Sequence, residues 1–145
     1  MLVIDADNRV LGRVASRAAK ALLNGEEVAI VNAENAVISG DPRSTVDRYK
    51  ARRAVKNKAN PQNSPHWPRR PDMLVNRIVR GMLPFDRPRG KIAHSRLRVY
   101  MGVPDEIKSK MNPDEIKEES EVKTHRKFIV IKDLCRELGW YHGQA

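Results

Sequence analysis

Apolar residues at the start of the chain alternate between short continuous runs and a helical period. Residues 2–6 and 27–32 are apolar runs bounded by polar residues, which is typical of buried strands. Between them, apolar residues recur every three or four positions over 11–23, and an Asn-Gly pair follows as a helix stop. This order indicates a βαβ unit with parallel strands and a right-handed crossover. Residues 36–39 predict a further short strand.

Two more helices are predicted in the middle of the chain. Asp41 before Pro42 is a helix start signal, since aspartate caps free N–H groups and proline suits the first helical position. That helix extends to about residue 55, and another spans about 72–82. The connector at 85–96 is basic and has room for about one helical turn.

The last third of the chain predicts short elements around an acidic segment. Residues 97–101 alternate as a strand with a basic outer face, and 128–131 form a short apolar run. The acidic segment 104–122 predicts helical turns after its two prolines. Asp133 is expected to cap a final helix that Gly139 closes.

Length and cysteine content indicate one intracellular domain. A chain of 145 residues is long enough for its own core, and a single cysteine, Cys135, cannot form an internal disulfide, which favours a reducing cytoplasm. No apolar run approaches a membrane span, and the acidic start lacks the basic region of a signal peptide. We expect residues 1–103 to form an α/β core and 104–145 a peripheral extension of the same domain.

Charge is distributed unevenly along the chain. The net charge is +10, but residues 41–103 alone carry 16 basic and 4 acidic side chains, whereas 104–122 carry a net charge of −4. Such a basic block predicts a nucleic-acid partner, because a surface kept only for solubility mixes both signs. A membrane surface fits less well, since it favours a basic helix with large apolar residues opposite. With 5% aromatic residues, contacts to phosphate and sugar should dominate over base stacking.

The candidate nucleic-acid contacts lie on three helices, a strand, the basic connector at 85–96 and a long proline-rich loop at 57–71. The basic stripe of the first helix also fits an ordinary solvated face, and the loop also fits a mobile linker. Seven cations lie on or next to the helix at 72–82: Arg69, Arg70, Arg77, Arg80, Arg87, Arg89 and Lys91. The full candidate set is Arg13, Arg17, Lys20, Arg48, Arg52, Arg53, Lys56, Lys58, His66, Trp67, Arg69, Arg70, Arg77, Arg80, Arg87, Arg89, Lys91, Arg96 and Arg98.

Motifs for catalysis or cofactor binding are missing from the sequence. There is no phosphate-binding glycine-rich loop, no nucleophile elbow, and one glycine, Gly12, where a dinucleotide site needs three. The four histidines and single cysteine are too scattered for a zinc site, and Cys135 lies on the apolar side of a short helix. Asp5, after the first strand, is the one carboxylate placed as in an active site, although it more simply caps the next turn. We therefore expect no enzyme, metal or cofactor.

Five segments carry a family resemblance. They are Val3–Ala6, Leu11–Ser16, Ile30–Glu34, Gly81–Pro84 and Arg96–Gly102. In this order and spacing the chain resembles the universal large-subunit ribosomal protein thirteen family. The short passage into the second strand and the C-terminal appendage are similar to its archaeal–eukaryotic branch.

The resemblance implies both a fold and a role. It implies a three-layer α/β/α fold around a small, mainly parallel sheet of about four strands, with a long basic loop and a C-terminal extension. It also implies a cytoplasmic structural protein that binds large-subunit rRNA during assembly and in the mature ribosome, next to other ribosomal proteins. It implies no membrane and no small-molecule substrate. The alternative from the residues alone is a small doubly wound enzyme that binds a nucleotide near Asp5 and Gly12.

Overall fold

The chain folds as an α/β structure, which a computed structural model describes over residues 1–108 and 127–141. The helix predicted at 11–23 has those bounds in the structure, and Asp41 accepts a hydrogen bond from the Ser44 N–H at the start of the next helix, as its position predicted. The elements are β1 Leu2–Asp5, α1 Leu11–Leu23, β2 Val28–Val31, β3 Val37–Ser39, α2 Pro42–Ala54, α3 Pro71–Gly81, α4 Pro88–Ser95, β4 Leu97–Val99, α5 Asp105–Lys108, β5 Phe128–Val130 and α6 Ile131–Glu137.

A three-stranded parallel sheet lies at the centre, in the order β1-β2-β4. Leu2 pairs with Val28, and Val28 in turn pairs with Leu97. All four residues of the middle strand β2 are buried, which explains why it is apolar throughout rather than alternating. The predicted parallel pairing of the first two strands is confirmed.

The two remaining strands form a separate antiparallel pair, β3 with β5. Ile38 lies opposite Ile129, and a single parallel bridge joins Val37 to Val10 just before α1. The α/β class and the mainly parallel sheet are confirmed, but the parallel sheet has three strands in the described residues where about four were expected. The difference arises because β3 pairs with a strand about ninety residues later, a non-local contact that local patterns do not encode.

Alternation along the strands divides the sheet between two apolar clusters. Ile4, Ile30 and Leu97 face the main cluster, which also holds the buried sides of α1, α3, α4 and α6. Val3 and Val31 face the opposite way, toward Ile107 of the one-turn helix α5. Most of the helical packing among the described residues therefore lies on one face of the sheet.

The C-terminal elements contribute directly to the main core. Ile131, Leu134 and Cys135 are fully buried in the same cluster as α1 and α3. The sequence assigned residues 104–145 to a peripheral extension of the same domain, and within the described part of it, residues 128–138 pack into the main core. The helical turn predicted after the second proline of the acidic segment lies outside the described residues.

Two local predictions differ from the structure. Asp133 lies within the first turn of α6 and does not cap it, because the helix begins at Ile131, directly after β5. The connector at 85–96 holds the eight-residue helix α4 instead of about one turn. The sequence does not predict α4 in full because its apolar residues lack a clear helical period, and only Gly90 and Ala93 of the helix are buried. A Cβ at Gly90 would overlap the Pro84 carbonyl, so glycine permits α4 to pack closely on the preceding turn.

Candidate nucleic-acid interface

The first predicted basic surface is the exposed side of α1. Arg13, Arg17 and Lys20 are exposed, while Val14 and Ala18 on the other side are buried in the core. The helix has the amphipathic form that the sequence predicted. These side chains extend from an ordinary surface helix, so both interpretations of the stripe, a solvated face and a phosphate contact, are compatible with the geometry.

Trp67 is the centre of the second basic surface. The guanidinium carbons of Arg52, from the last turn of α2, and Arg77, from α3, lie 5.2 and 5.1 Å from the centre of its ring. Tyr49 meets the same ring edge-to-face at 6.3 Å, and Arg52 also lies 5.3 Å from the Tyr49 ring. Distances of this size are typical of cation–π contact. Two helices and the loop between them are thus joined at one aromatic side chain.

The loop that carries Trp67 is closed by its own hydrogen bonds. The Asn57 N–H donates to Ser64 Oγ, and Asn57 Oδ1 accepts from the N–H groups of Ala59 and Asn60. A short 3-10 turn at Pro61–Asn63 follows. Trp67 packs against the main core and anchors the far end of the loop. These contacts favour a shaped loop over the linker that the sequence left open.

A second arginine–aromatic contact lies at the other end of α3. The guanidinium carbon of Arg80 is 3.9 Å from the centre of the Phe85 ring, which meets His94 edge-to-face at 5.4 Å. His94 Nε2 is hydrogen-bonded to Asn76 Oδ1 at 2.8 Å. Burial, with a smaller contribution from Arg80, lowers the pKa of His94, so this imidazole favours its neutral form. Both arginines of α3 therefore lie against rings from the segments that flank the helix.

Several predicted cations are engaged within the protein. Arg70 forms a two-bond ion pair with Asp72, with Nε–Oδ1 and Nη2–Oδ2 distances of 3.1 and 2.7 Å. Arg53 donates to the Leu138 carbonyl at 3.0 Å, and burial followed by the nearby Arg69 charge lowers its pKa. This bond ties α2 to the end of α6. These two arginines have less capacity left for phosphate than the sequence suggested.

The seven cations around α3 do not gather at one point. Arg89 of α4 donates to the Leu23 carbonyl at the end of α1. The Arg96 guanidinium lies beside Gly25, just beyond the same helix end. With Lys20 in the last turn of α1, these side chains form a second basic group there. Arg98 folds back onto the carbonyls of Ser95 and Leu97.

We define the α2–α3 surface as the candidate cations of α2, α3 and the segment between them, apart from Arg53 and Arg70, which are engaged within the protein. Arg77 and Arg80 are half-buried, and the other five cations are exposed. None of these cations forms an ion pair with a carboxylate among residues 1–108 and 127–141. The members of the surface are Arg48, Arg52, Lys56, Lys58, Arg69, Arg77 and Arg80. His66 is exposed on the same loop, and Arg17, Lys20, Arg87, Arg89 and Lys91 are likewise without an ion-pair partner in that part of the chain.

Three residues of this region were missed from sequence. Tyr49 was assigned to the apolar face of α2, but its ring also contacts Arg52 three residues later. Phe85 and His94 were treated as part of a connector, although Phe85 contacts Arg80 across the turn after α3. The i,i+3 spacing of Tyr49 and Arg52 was a detectable signal. The Phe85 contact depends on how the chain turns after α3, which no local pattern specifies.

A comparison with protein-family models identifies the family to which this chain belongs. The family model described as Ribosomal protein L13 matches residues 1–106. The chain belongs to the ribosomal protein L13 family.

Full-length relatives of the L13 family extend the match through the C-terminal elements. The chain is 45% identical to the "Large ribosomal subunit protein uL13" of Methanococcoides burtonii over 139 residues, which are 96% of this chain and 98% of the relative. It is 42% identical to the protein of the same name from Methanocaldococcus jannaschii over 146 aligned positions, again 96% and 98%. For Methanosarcina barkeri the identity is 41% over 140 residues, with the same shares. These archaeal relatives agree with the branch that the sequence resembled.

The carboxylate that suggested an enzyme has a structural role in this L13-family chain. Asp5 Oδ1 accepts hydrogen bonds from Asn32 Nδ2 at 2.8 Å and from the Asp7 N–H at 3.0 Å. These bonds fix the turns that follow β1 and β2. Among residues 1–108 and 127–141 there is no cluster of metal-ligating side chains and no helix long and apolar enough to cross a membrane.

A groove of about 800 Å³ lies between α2, β5 and α6, and its charges are balanced, unlike those of the α2–α3 surface. Lys50 Nζ and Glu137 Oε2 form an ion pair at 3.5 Å that links α2 to α6, and Arg136 pairs with Asp133. Because these cations are matched by acids, the L13-family chain presents no comparable basic surface there.

Proposed function

We propose that the chain is a structural constituent of the large ribosomal subunit that binds large-subunit rRNA during assembly and in the mature ribosome. Membership of the L13 family and the names of its relatives support this role. The observation that carries the RNA part is the α2–α3 surface, where guanidinium groups without ion pairs lie against aromatic rings. The role places the protein in the cytoplasm, within the ribosome.

The chemistry of this surface suits an RNA backbone. A guanidinium donates two parallel hydrogen bonds to phosphate, and five of the seven cations of the α2–α3 surface are arginines. Double-stranded RNA has a deep major groove that side chains cannot enter, so recognition depends on shape, phosphate and 2′-hydroxyl groups. Within the candidate set, Arg52, Arg77 and Arg80 are proposed as the principal contacts. Arg53 and Arg70 are proposed to act chiefly by supporting the surface.

A purely structural role fits the L13 family better than catalysis. The family is a structural component of the ribosome, so we assign no enzymatic activity to the chain. The alternative, a nucleotide-binding enzyme at Asp5 and Gly12, has little support, since Asp5 is engaged by Asn32 and Asp7. Neighbouring large-subunit proteins are proposed as further partners.

Two measurements on the full chain test this function. In a titration, we expect tight binding to a folded large-subunit rRNA fragment and none to mononucleotides or dinucleotides. In a sucrose gradient of cell extract, a tagged copy should sediment with the large subunit. Micromolar nucleotide binding without RNA binding, or a tagged protein that remains at the top of the gradient, would contradict the proposal.

A further inference from the structure

Trp67 is an aromatic residue in a basic loop, and such residues often stack on bases. Here the ring is already occupied by protein. Two guanidinium carbons lie within about 5 Å of its centre, and the Tyr49 ring approaches edge-to-face. The side chain is also half-buried against the main core. A base would have to displace these contacts before it could stack.

The ring fixes the relative position of two charges from different helices. Arg52 belongs to α2 and Arg77 to α3, and residues 55–70, which include most of the proline-rich loop, separate the two helices. Since both guanidinium carbons lie so near one ring centre, they are at most about 10 Å apart. Ordering a long side chain before binding lowers the entropy lost when it contacts a ligand.

We propose that Trp67 is a positioning residue that holds Arg52 and Arg77 ready for RNA backbone phosphates and does not itself stack on a base. The inference rests on the proposed rRNA binding and adds to it the residue that organises the site. It extends to no other aromatic residue of the chain.

The first test compares two RNA fragments, one fully base-paired and one with unpaired bases. Trp67→Leu keeps every cation, so the net charge is unchanged. We expect it to weaken binding of both fragments by about tenfold, because two pre-ordered arginines become mobile. Trp67→Phe retains an aromatic face and should stay within about threefold of the wild type. Trp140→Phe, a change at the other tryptophan, is the matched control and should bind as the wild type does. A loss confined to the fragment with unpaired bases would show base stacking and overturn the proposal.

The second test is a mutant cycle with Arg52→Ala/Arg77→Ala as the other arm. If Trp67 acts through these arginines, Trp67→Leu should cost about tenfold in the wild-type background and less than about threefold once they are gone. Equal losses in both backgrounds would overturn the proposal, because a general structural role would not depend on the arginines. Circular dichroism fixes a temperature at which all four proteins are folded, and Trp67→Met replaces Trp67→Leu if that variant does not fold.

The two proposals fail in different ways. A wild-type protein that binds neither RNA fragment would contradict the proposed function itself. A wild-type protein that binds both, with Trp67→Leu binding equally well, would contradict only the positioning role.

Discussion

Arg77 and Arg80 differ from the cations of α1 in what surrounds them. Arg77 lies against the Trp67 ring and Arg80 against the Phe85 ring, whereas Arg17 and Lys20 extend from an exposed helix face. Exposed, mobile charges contribute little to binding or stability, since solvent screens them and ordering them costs entropy. Ring-supported guanidinium groups have less freedom to lose. A positive charge on α3 is therefore expected to contribute more to RNA binding than the same charge on the exposed face of α1.

This contrast gives a matched pair of double variants. Arg77→Ala/Arg80→Ala should weaken rRNA binding by about 2 kcal/mol or more, as for loss of charge-assisted hydrogen bonds. Arg17→Ala/Lys20→Ala removes the same charge and should cost less. Fluorescence anisotropy with a labelled rRNA fragment measures both. Equal losses would mean a diffuse basic surface with no preferred region at α3.

The same variants make a prediction about stability that revises the one from sequence. From the sequence alone, neither double variant is expected to remove an apolar contact, so both should have the melting temperature of the wild type. The cation–π contacts change this for α3, because each contributes about 0.5–1 kcal/mol at an exposed site. The α3 pair should therefore melt a few degrees lower and the α1 pair unchanged, as followed by circular dichroism. Identical melting of the two pairs would show that the rings contribute nothing to stability.

The reactivity of the Cys135 thiol tests whether this side chain is buried in the core. Burial is the main cause that raises the pKa of its thiol from 9.0 to about 12, with a smaller contribution from Asp72. The thiolate is the reactive form, so a thiol reagent at pH 8 should modify Cys135 only when the protein unfolds and no faster than it unfolds. Because the folded pKa is raised, this group favours the folded state fully below pH about 9, and that stability is lost as the pH rises toward 12. Rapid modification of the folded protein at pH 8 would contradict the burial.

Among the elements, those with a strong local period were the ones that the sequence could predict. The bounds of α1 follow from its apolar spacing and its Asn-Gly stop, and Asp41-Pro42 marked the start of α2. α4 was underestimated because its hydrophobic pattern is weak, with Ile92 exposed and Ala93 buried. The β3–β5 pairing could not be predicted, since it joins residues about ninety positions apart.

For the candidate site, the sequence located the charged side chains and the exposure of most of them, but not the half-burial of Arg77 and Arg80 or the contacts that the charged groups make within the protein. The exposure of Arg17, Arg52 and Lys56 follows from helix spacing and composition. The engagement of Arg53 by the Leu138 carbonyl and the position of Trp67 between two helices arise from tertiary packing. The local sequence pattern therefore located the basic region, whereas tertiary packing determines which of its side chains contact one another.

The packing of α6 predicts that the C-terminal elements stabilise the core. Leu134→Ala removes a fully buried leucine and should lower the free energy of unfolding by about 2–5 kcal/mol. Ile92→Ala is the control, because Ile92 is 55% exposed and its truncation should cost less than about 0.5 kcal/mol. Urea unfolding measures both. Folded Leu134→Ala protein should keep its rRNA affinity, and a severe loss of affinity while folded would place α6 in the RNA site.

For the whole molecule, the dominant property is its positive charge: the chain has a net charge of +10, and the 16 basic and 4 acidic side chains of residues 41–103 form its basic block. If about six to eight cations contact phosphate, affinity should fall about 10³- to 10⁵-fold between about 50 and about 200 mM salt, by analogy with DNA. The reason is that each neutralised phosphate releases counterions. Binding curves across that range give the slope. A nearly flat plot of log affinity against log salt would contradict a phosphate-based interface.

Contact between rRNA and the α2–α3 surface is the main proposal for this L13-family chain. The most direct test is to purify large ribosomal subunits that contain a tagged copy, crosslink protein to RNA, and map the linked peptides and nucleotides. We expect crosslinks from the peptides that carry Arg48 to Lys58 and Arg69 to Arg80, and few from the β5 and α6 peptides that line the groove with α2. A chain that is present in the subunit but crosslinks to RNA only outside the α2–α3 surface would rule out this surface as the rRNA contact.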